Sequence, residues 1–135
     1  MRLTLALLAA VFAGATSAEA GVPAPARYTV QMQLIADGKV IGTPTVIARI
    51  GDPVAITVDQ PGGYSMRVTL FEGRRANTLR LGTEIRLKRD GQWTLAGTPT
   101  IETAIGRDAA IEIRQPEGSG VSVIRLESRL APTAL

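Results

Sequence analysis

Neither cysteine nor histidine occurs among the 135 residues. Without a thiol no disulfide can staple the fold and no lipid can be carried on an N-terminal Cys. Without His or Cys, the Ser-His-Asp, Cys-His and ordinary zinc constellations fall away together. Aromatic residues are scarce: beyond residue 20 there are four, Tyr28, Tyr64, Phe71 and Trp93. No segment past that point sustains a helical period, so no glycine-rich phosphate loop opens a helix. Charge of one sign is not in large excess either. The net charge is +3 with the basic residues strung along the chain, which is not the footprint of a nucleic-acid binder.

The one long apolar run lies at the N-terminus. Arg2, the run Leu3 to Ala13 and the small-x-small triplet Ala18-Glu19-Ala20 together have the pattern of a secretory signal peptide, with cleavage expected after Ala20. A retained anchor is the alternative, but the run is shorter than the roughly 18 residues that a membrane-spanning helix needs. The expected location is periplasmic or secreted. Residues 21–27 form a flexible Pro/Ala-rich leader, 28–130 a single domain large enough to bury a core without staples, and 131–135 a tail.

Within the domain the apolar period is two. Tyr28, Val30, Met32 and Leu34 alternate with polar residues, as do Tyr64, Met66, Val68 and Leu70, while Val46, Ala48 and Ile50, then Val54, Ile56 and Val58, each share one face at the same period. Such alternation reads as half-buried strands. Turn chemistry separates them: Asp37-Gly38 suits a tight hairpin, Gly51-Asp52-Pro53 reads as the corner of a second hairpin, and Gln60-Pro61-Gly62-Gly63 as a third turn. The plan then recurs. GTPTVIARIGDPVAITV, Gly42 to Val58, returns as GTPTIETAIGRDAAIEI, Gly97 to Ile113, and 12 of 29 positions from Gly42 to Leu70 are identical at a constant offset of 55 residues. Asp37 lies five residues before Gly42 but Asp90 seven before Gly97, so the second hairpin is longer. Gln115-Pro116 is expected to turn where Gln60-Pro61 turns, and a β-bulge is expected between Val123 and Ile124, where the apolar phase changes.

The fold class is therefore all-β: a small β-sandwich of about eight to ten short strands, built from two tandem units, about 28–71 and 83–130, that cover each other. A membrane-spanning barrel would need strands of about 9 to 11 residues and aromatic girdles. Most strands here read as five to eight residues, and the aromatics are too few.

A search for chemistry returns little. Asp37, Asp52, Asp90 and Asp108 fall at turns, and Glu84, Glu102 and Glu112 on the polar phase of strands, so no carboxylate pair converges. The chain reads as non-enzymatic, with no cofactor and no metal. Tyr28, Tyr64 and Trp93 read as core residues. Phe71 is out of phase with its strand and reads as an exposed contact or as the start of an irregular loop, the charged run that follows favouring the loop. The run Glu72 to Gly82, with Arg74, Arg75 and Arg80, connects the units; it is a solvated linker or a docking loop whose guanidinium groups suit carboxylate or phosphate. Arg86, Lys88 and Arg89 on the next hairpin extend the patch, and with Phe71 these six basic residues are the candidate partner-binding set.

The spacing Pro44, Gly51, Ala55, Ile56, Val58, repeated as Pro99, Gly106, Ala110, Ile111, Ile113, resembles the sandwich segments of the outer-membrane secretin family and the periplasmic tails of antibiotic-sensing membrane metallopeptidases. The resemblance covers about half of the chain beyond residue 20. The long chain and membrane-spanning lip of a secretin, and the helical membrane domain and His ligands of the peptidases, have no counterpart here. What it implies is a β-sandwich accessory module of the cell envelope, with no catalytic residue carried over. The expected role is binding of another envelope protein, by strand addition at a sheet edge or through the Arg-rich connection. The alternative is binding of an anionic glycan or other envelope polymer on a platform of Arg74, Arg75, Arg80 and Trp93.

Overall fold

The structure is a computed structural model and describes residues 26–133. The expected export segment, 1–20, lies outside the described residues, as do 21–25 of the leader and 134–135 of the tail. The described residues form ten strands and no helix: β1 (Arg27–Ala36), β2 (Lys39–Gly42), β3 (Thr45–Arg49), β4 (Val54–Val58), β5 (Tyr64–Glu72), β6 (Thr78–Arg89), β7 (Gln92–Gly97), β8 (Thr100–Ala104), β9 (Asp108–Glu117) and β10 (Gly120–Pro132). Among these residues no helix is long and apolar enough to cross a membrane. The central strands outrun the expected five to eight residues, with β6 reaching 12 and β10 reaching 13.

The strands make a sandwich of two five-stranded antiparallel sheets. In the first, β1 pairs with β10 on one edge and with β2 and then β3 along the other, and β9 closes the far side of β10. In the second, β6 pairs with β5 on one edge and with β7 and then β8 along the other, and β4 closes the far side of β5. The two sheets have the same strand plan with the units exchanged. Each sheet takes its first three strands from one unit and its last two from the other, so the repeat is interleaved.

The repeated GTPT marks the place where the chain, running along a central strand, breaks and resumes. Between β2 and β3 the Met32 N–H donates to the Pro44 carbonyl at 2.9 Å, and between β7 and β8 the Thr83 N–H donates to that of Pro99 at 3.0 Å. Proline suits this break because its missing N–H is not called on. A register shift follows Leu34 opposite Gly42 and again Ile85 opposite Gly97. From these fixed points the second hairpin is longer by two residues on each arm, and its turn, Asp90-Gly91, has the same positive φ pair as Asp37-Gly38.

Three expectations are corrected. Gly51-Asp52-Pro53 is not a hairpin: β3 belongs to the first sheet and β4 to the second, and the segment is the corner at which the chain changes layers. Gly51 takes a φ of 89° and Gly106, its counterpart, 86°, which a side chain would resist. Their N–H groups donate to Leu70 and Leu130 in the sheet being entered, at 2.8 and 2.7 Å. Gln115-Pro116 does not turn. Both lie inside β9, opposite Ser122 and Val121, and the chain reverses at Gly118-Ser119; Pro116 is tolerated because β9 is an edge strand. Nor does β10 bulge. Its register with β9 is unbroken from Gly120 to Arg129, Ser122, Ile124, Leu126, Ser128 and Leu130 face inward, and Val121 and Val123 face out, Val121 with 60% of its surface exposed.

The core sits between the sheets. Leu34, Ile124, Leu126 and Leu130 of the first pack in one cluster with Met66, Leu70, Leu81 and Ile85 of the second, all essentially inaccessible. Burial of such a side chain contributes about 1.5–3 kcal/mol, which suits a fold held by packing alone.

Candidate functional site

The connection between the units is shorter than its sequence suggests. β5 continues through Glu72 and β6 begins at Thr78, leaving residues 73–77 as the loop. Glu102 of β8 organises it. The Arg74 N–H donates to Glu102 Oε2 at 3.1 Å, and the Thr78 hydroxyl lies 3.2 Å from the same oxygen and 2.7 Å from the Arg75 carbonyl, sharing one proton between two acceptors. The Arg75 N–H reaches Thr78 Oγ1 at 3.3 Å, and the Ile105 N–H donates to the Asn77 carbonyl at 3.0 Å. Asn77 holds the left-handed φ of 58° that closes the turn. Desolvation acts to raise the pKa of Glu102. The hydrogen bonds from the Arg74 backbone, the Thr78 hydroxyl and the Arg75 backbone, with the Arg74 charge, outweigh it and hold the carboxyl below its ordinary value.

Phe71 is not in a loop. It lies in β5 opposite Arg80, on the outward phase of the second sheet, with 41% of its surface exposed. Its ring edge comes within 3.1 Å of where a Cβ would stand on Gly82, so it shields that glycine's bare backbone, a known device for strand glycines. The Arg80 guanidinium stands 5.7 Å from the ring centroid and donates through Nε to the Glu72 carbonyl at 3.2 Å. Phe71, Arg74, Arg75 and Arg80 therefore gather at one end of the second sheet.

Arg86, Lys88 and Arg89 do not join them. They occupy the other end of β6, and eight residues of extended strand between Arg80 and Lys88 span about 27 Å. Each already has an acid: Arg86 meets Glu84 at 3.1 Å, Lys88 meets Asp59 at 2.5 Å, and Arg89 meets Glu117 at 2.5 Å while donating to Ser122 Oγ at 3.1 Å. Trp93 accompanies this end. It is not a core residue: it lies opposite Lys88 on the β6–β7 hairpin with the ammonium 5.6 Å from its ring, and 38% of its surface is exposed. The platform of Arg74, Arg75, Arg80 and Trp93 is thus split between two ends of the sheet. Arg74 and Arg75 make no ion pair among the described residues, unlike the three basic groups at the far end.

Two features escaped sequence reasoning. The outer face of the first sheet carries a network of ion pairs: across the strands, Arg125 with Glu112 at 3.8 Å and Arg129 with Asp108 at 3.7 Å; along them, Arg125 with Glu127 at 2.9 Å and Arg114 with Glu112 at 3.6 Å. It borders a shallow open trough of about 560 Å³ floored in part by Ala110. The alternation Arg125, Glu127, Arg129 was the available signal, but the acids on β9 that answer it follow only from the pairing. The second is the edge of β4, which among the described residues pairs with β5 alone. Among the described residues no three acids cluster as a metal site would require.

No family model, no curated protein and no solved structure matches the chain.

Proposed function

We propose that the chain is an exported, non-enzymatic β-sandwich module of the cell envelope that docks a second envelope protein through the β5–β6 end of its second sheet. One observation carries this reading: Arg74 and Arg75 sit on a loop whose backbone is tied down through Glu102 and Thr78, while neither guanidinium makes an ion pair among the described residues. A pre-ordered loop loses little entropy on binding. Two unpaired guanidinium groups beside the exposed Phe71–Arg80 stack suit an acidic segment that also carries an apolar or aromatic side chain. Export is read from the N-terminal segment, and the resemblance of the two Pro-to-Ile segments to secretin sandwich segments supports an accessory role.

The test is capture of partners from envelope extract by the protein and by Arg74→Glu/Arg75→Glu, with folding of the variant verified by its unfolding midpoint. The expected result is a discrete protein retained at moderate salt by the first and lost by the second. Equal retention by both removes the loop from the reading. Retention of anionic polysaccharide in place of protein, again lost in the variant, assigns the same arginines to a glycan.

A further inference from the structure

Strands β4 and β9 are counterparts in the two units, 55 residues apart, and each forms the outermost strand of its sheet. Their chemistry differs sharply. The outward phase of β9 is Asp108, Ala110, Glu112, Arg114 and Pro116, the charges and proline by which proteins protect a sheet edge from pairing with another chain. β4 is Val54-Ala55-Ile56-Thr57-Val58, with no charge and no proline. The other edge strands are guarded as well: β2 carries Lys39, β3 Arg49 and β8 Glu102. β7 is uncharged, but β9 covers it, since the Gln115 amide donates to the Ala96 carbonyl and Ile113 packs onto Gly97. Among the described residues the only strand paired with β4 is β5.

The β4 sequence is also self-complementary. Read antiparallel to itself about Ile56, it places Val54 opposite Val58, Ala55 opposite Thr57 and Ile56 opposite Ile56. On the inward face Val54, Ile56 and Val58 are only half-buried although they pack on the core, and this register would cover all three with the same three residues of a second copy. The flanking acids do not oppose each other, because Asp59 falls opposite Pro53 and Asp52 opposite Gln60. On the outward face Arg67 stands opposite Ala55, on the side away from the free edge, and beside Glu84.

We infer that β4 is a homodimerisation edge, pairing antiparallel with β4 of a second copy about a two-fold axis through Ile56 and joining two sheets into one. Pairing ends where Pro53, lacking an N–H, meets Asp59. An edge of five residues buries less than the roughly 1,600 Å² of a standard interface, which places the dissociation constant on the order of micromolar. The surface is separate from the Arg74/Arg75 loop, so this dimer and the docking proposed above stand or fall independently.

Sedimentation velocity of the protein purified from cells expressing the full chain, from about 1 µM to about 300 µM, tests this across the affinities such an edge can give. A concentration-dependent monomer–dimer equilibrium is expected. Thr57→Lys, which leaves the outward surface of a single copy solvated but sets two ammonium groups across the axis, is expected to raise the dissociation constant about tenfold or more with the unfolding midpoint unchanged. Because the chain has no cysteine, register is read independently by oxidation. Ile56→Cys is expected to yield a covalent dimer, and Ile111→Cys, the counterpart on β9, to stay monomeric. A monomer throughout the range overturns the inference. So does a dimer that Thr57→Lys leaves intact, or equal cross-linking at both positions.

Discussion

The glycines that open the repeated GTPT offer a comparison of two equivalent positions in unequal surroundings. Gly42 and Gly97 each end a strand opposite a central residue, Leu34 and Ile85, and neither has positive φ, so alanine meets no backbone strain at either. A Cβ on Gly42 would fall against the Tyr64 ring, with Cζ and Oη both at 2.5 Å. That ring is rigid and 5% exposed, and cannot retreat without displacing the core. Overpacking of this kind costs about 1–3 kcal/mol, while replacing glycine with alanine returns about 0.4–1 kcal/mol by restricting the unfolded chain. The net expectation for Gly42→Ala is a loss of about 1–2 kcal/mol, or about 4–16 °C in Tm for a domain of this size. A Cβ on Gly97 meets the Ile113 Cδ1 methyl at 2.7 Å and its other atoms at 3.5 Å or beyond. A terminal methyl on a half-buried edge strand can rotate away, so the two terms nearly cancel and Gly97→Ala should lie within about 0.5 kcal/mol of the parent. Urea unfolding of both variants, and of Gly42→Ala combined with Tyr64→Leu to open the space, measures each term. Equal costs at the two glycines, or a cost at Gly42 that the smaller residue at 64 does not relieve, would refute the reasoning.

Two further outcomes follow from groups whose surroundings are plain. Folding depresses the Glu102 pKa from its ordinary value of 4.5, so its contribution to stability is complete above that value and is lost as pH falls through the lower folded-state value. Glu102→Gln should therefore flatten the acid side of the stability profile, read from urea midpoints between about pH 7 and about pH 2; an unchanged slope would mean that the carboxylate does not hold the loop. Ser128 is 4% exposed and its hydroxyl has no hydrogen-bond partner among the described residues. Its position matches that of Val68 by register, each standing opposite residues 55 apart, Ala109 and Val54. Ser128→Ala should raise stability by about 1 kcal/mol in the same urea assay, and a loss would reveal a partner for the hydroxyl.

Much of the core was legible in the chain, because side-chain alternation is a local consequence of the pleat. Val30, Met32 and Leu34, then Met66, Val68 and Leu70, are inward in sequence and in space. Phe71 was visible as an anomaly of phase, but its reason, the bare Gly82 on the neighbouring strand, lies 11 residues away and depends on register. The candidate cations were legible only as a list. That Arg86, Lys88 and Arg89 are answered by Glu84, Asp59 and Glu117 while Arg74 and Arg75 make no ion pair among the described residues is a matter of which strands meet. The shift at Val123 misled for a related reason: two outward valines near a turn mimic a change of face, and the pairing with β9 shows that there is none.

By itself the sequence determined that the chain is all-β, which residues face inward along most strands, where it turns at Asp37-Gly38 and Asp90-Gly91, and that one plan is written twice. Only the tertiary structure decided that Gly51 and Gly106 are corners between layers, not hairpins, and that the units exchange their last two strands. The reason is that alternation and turn chemistry are encoded residue by residue. The backbone hydrogen bonds that choose a strand's neighbour are the same for every residue but proline, so the choice is made where the apolar faces of both units can be buried at once.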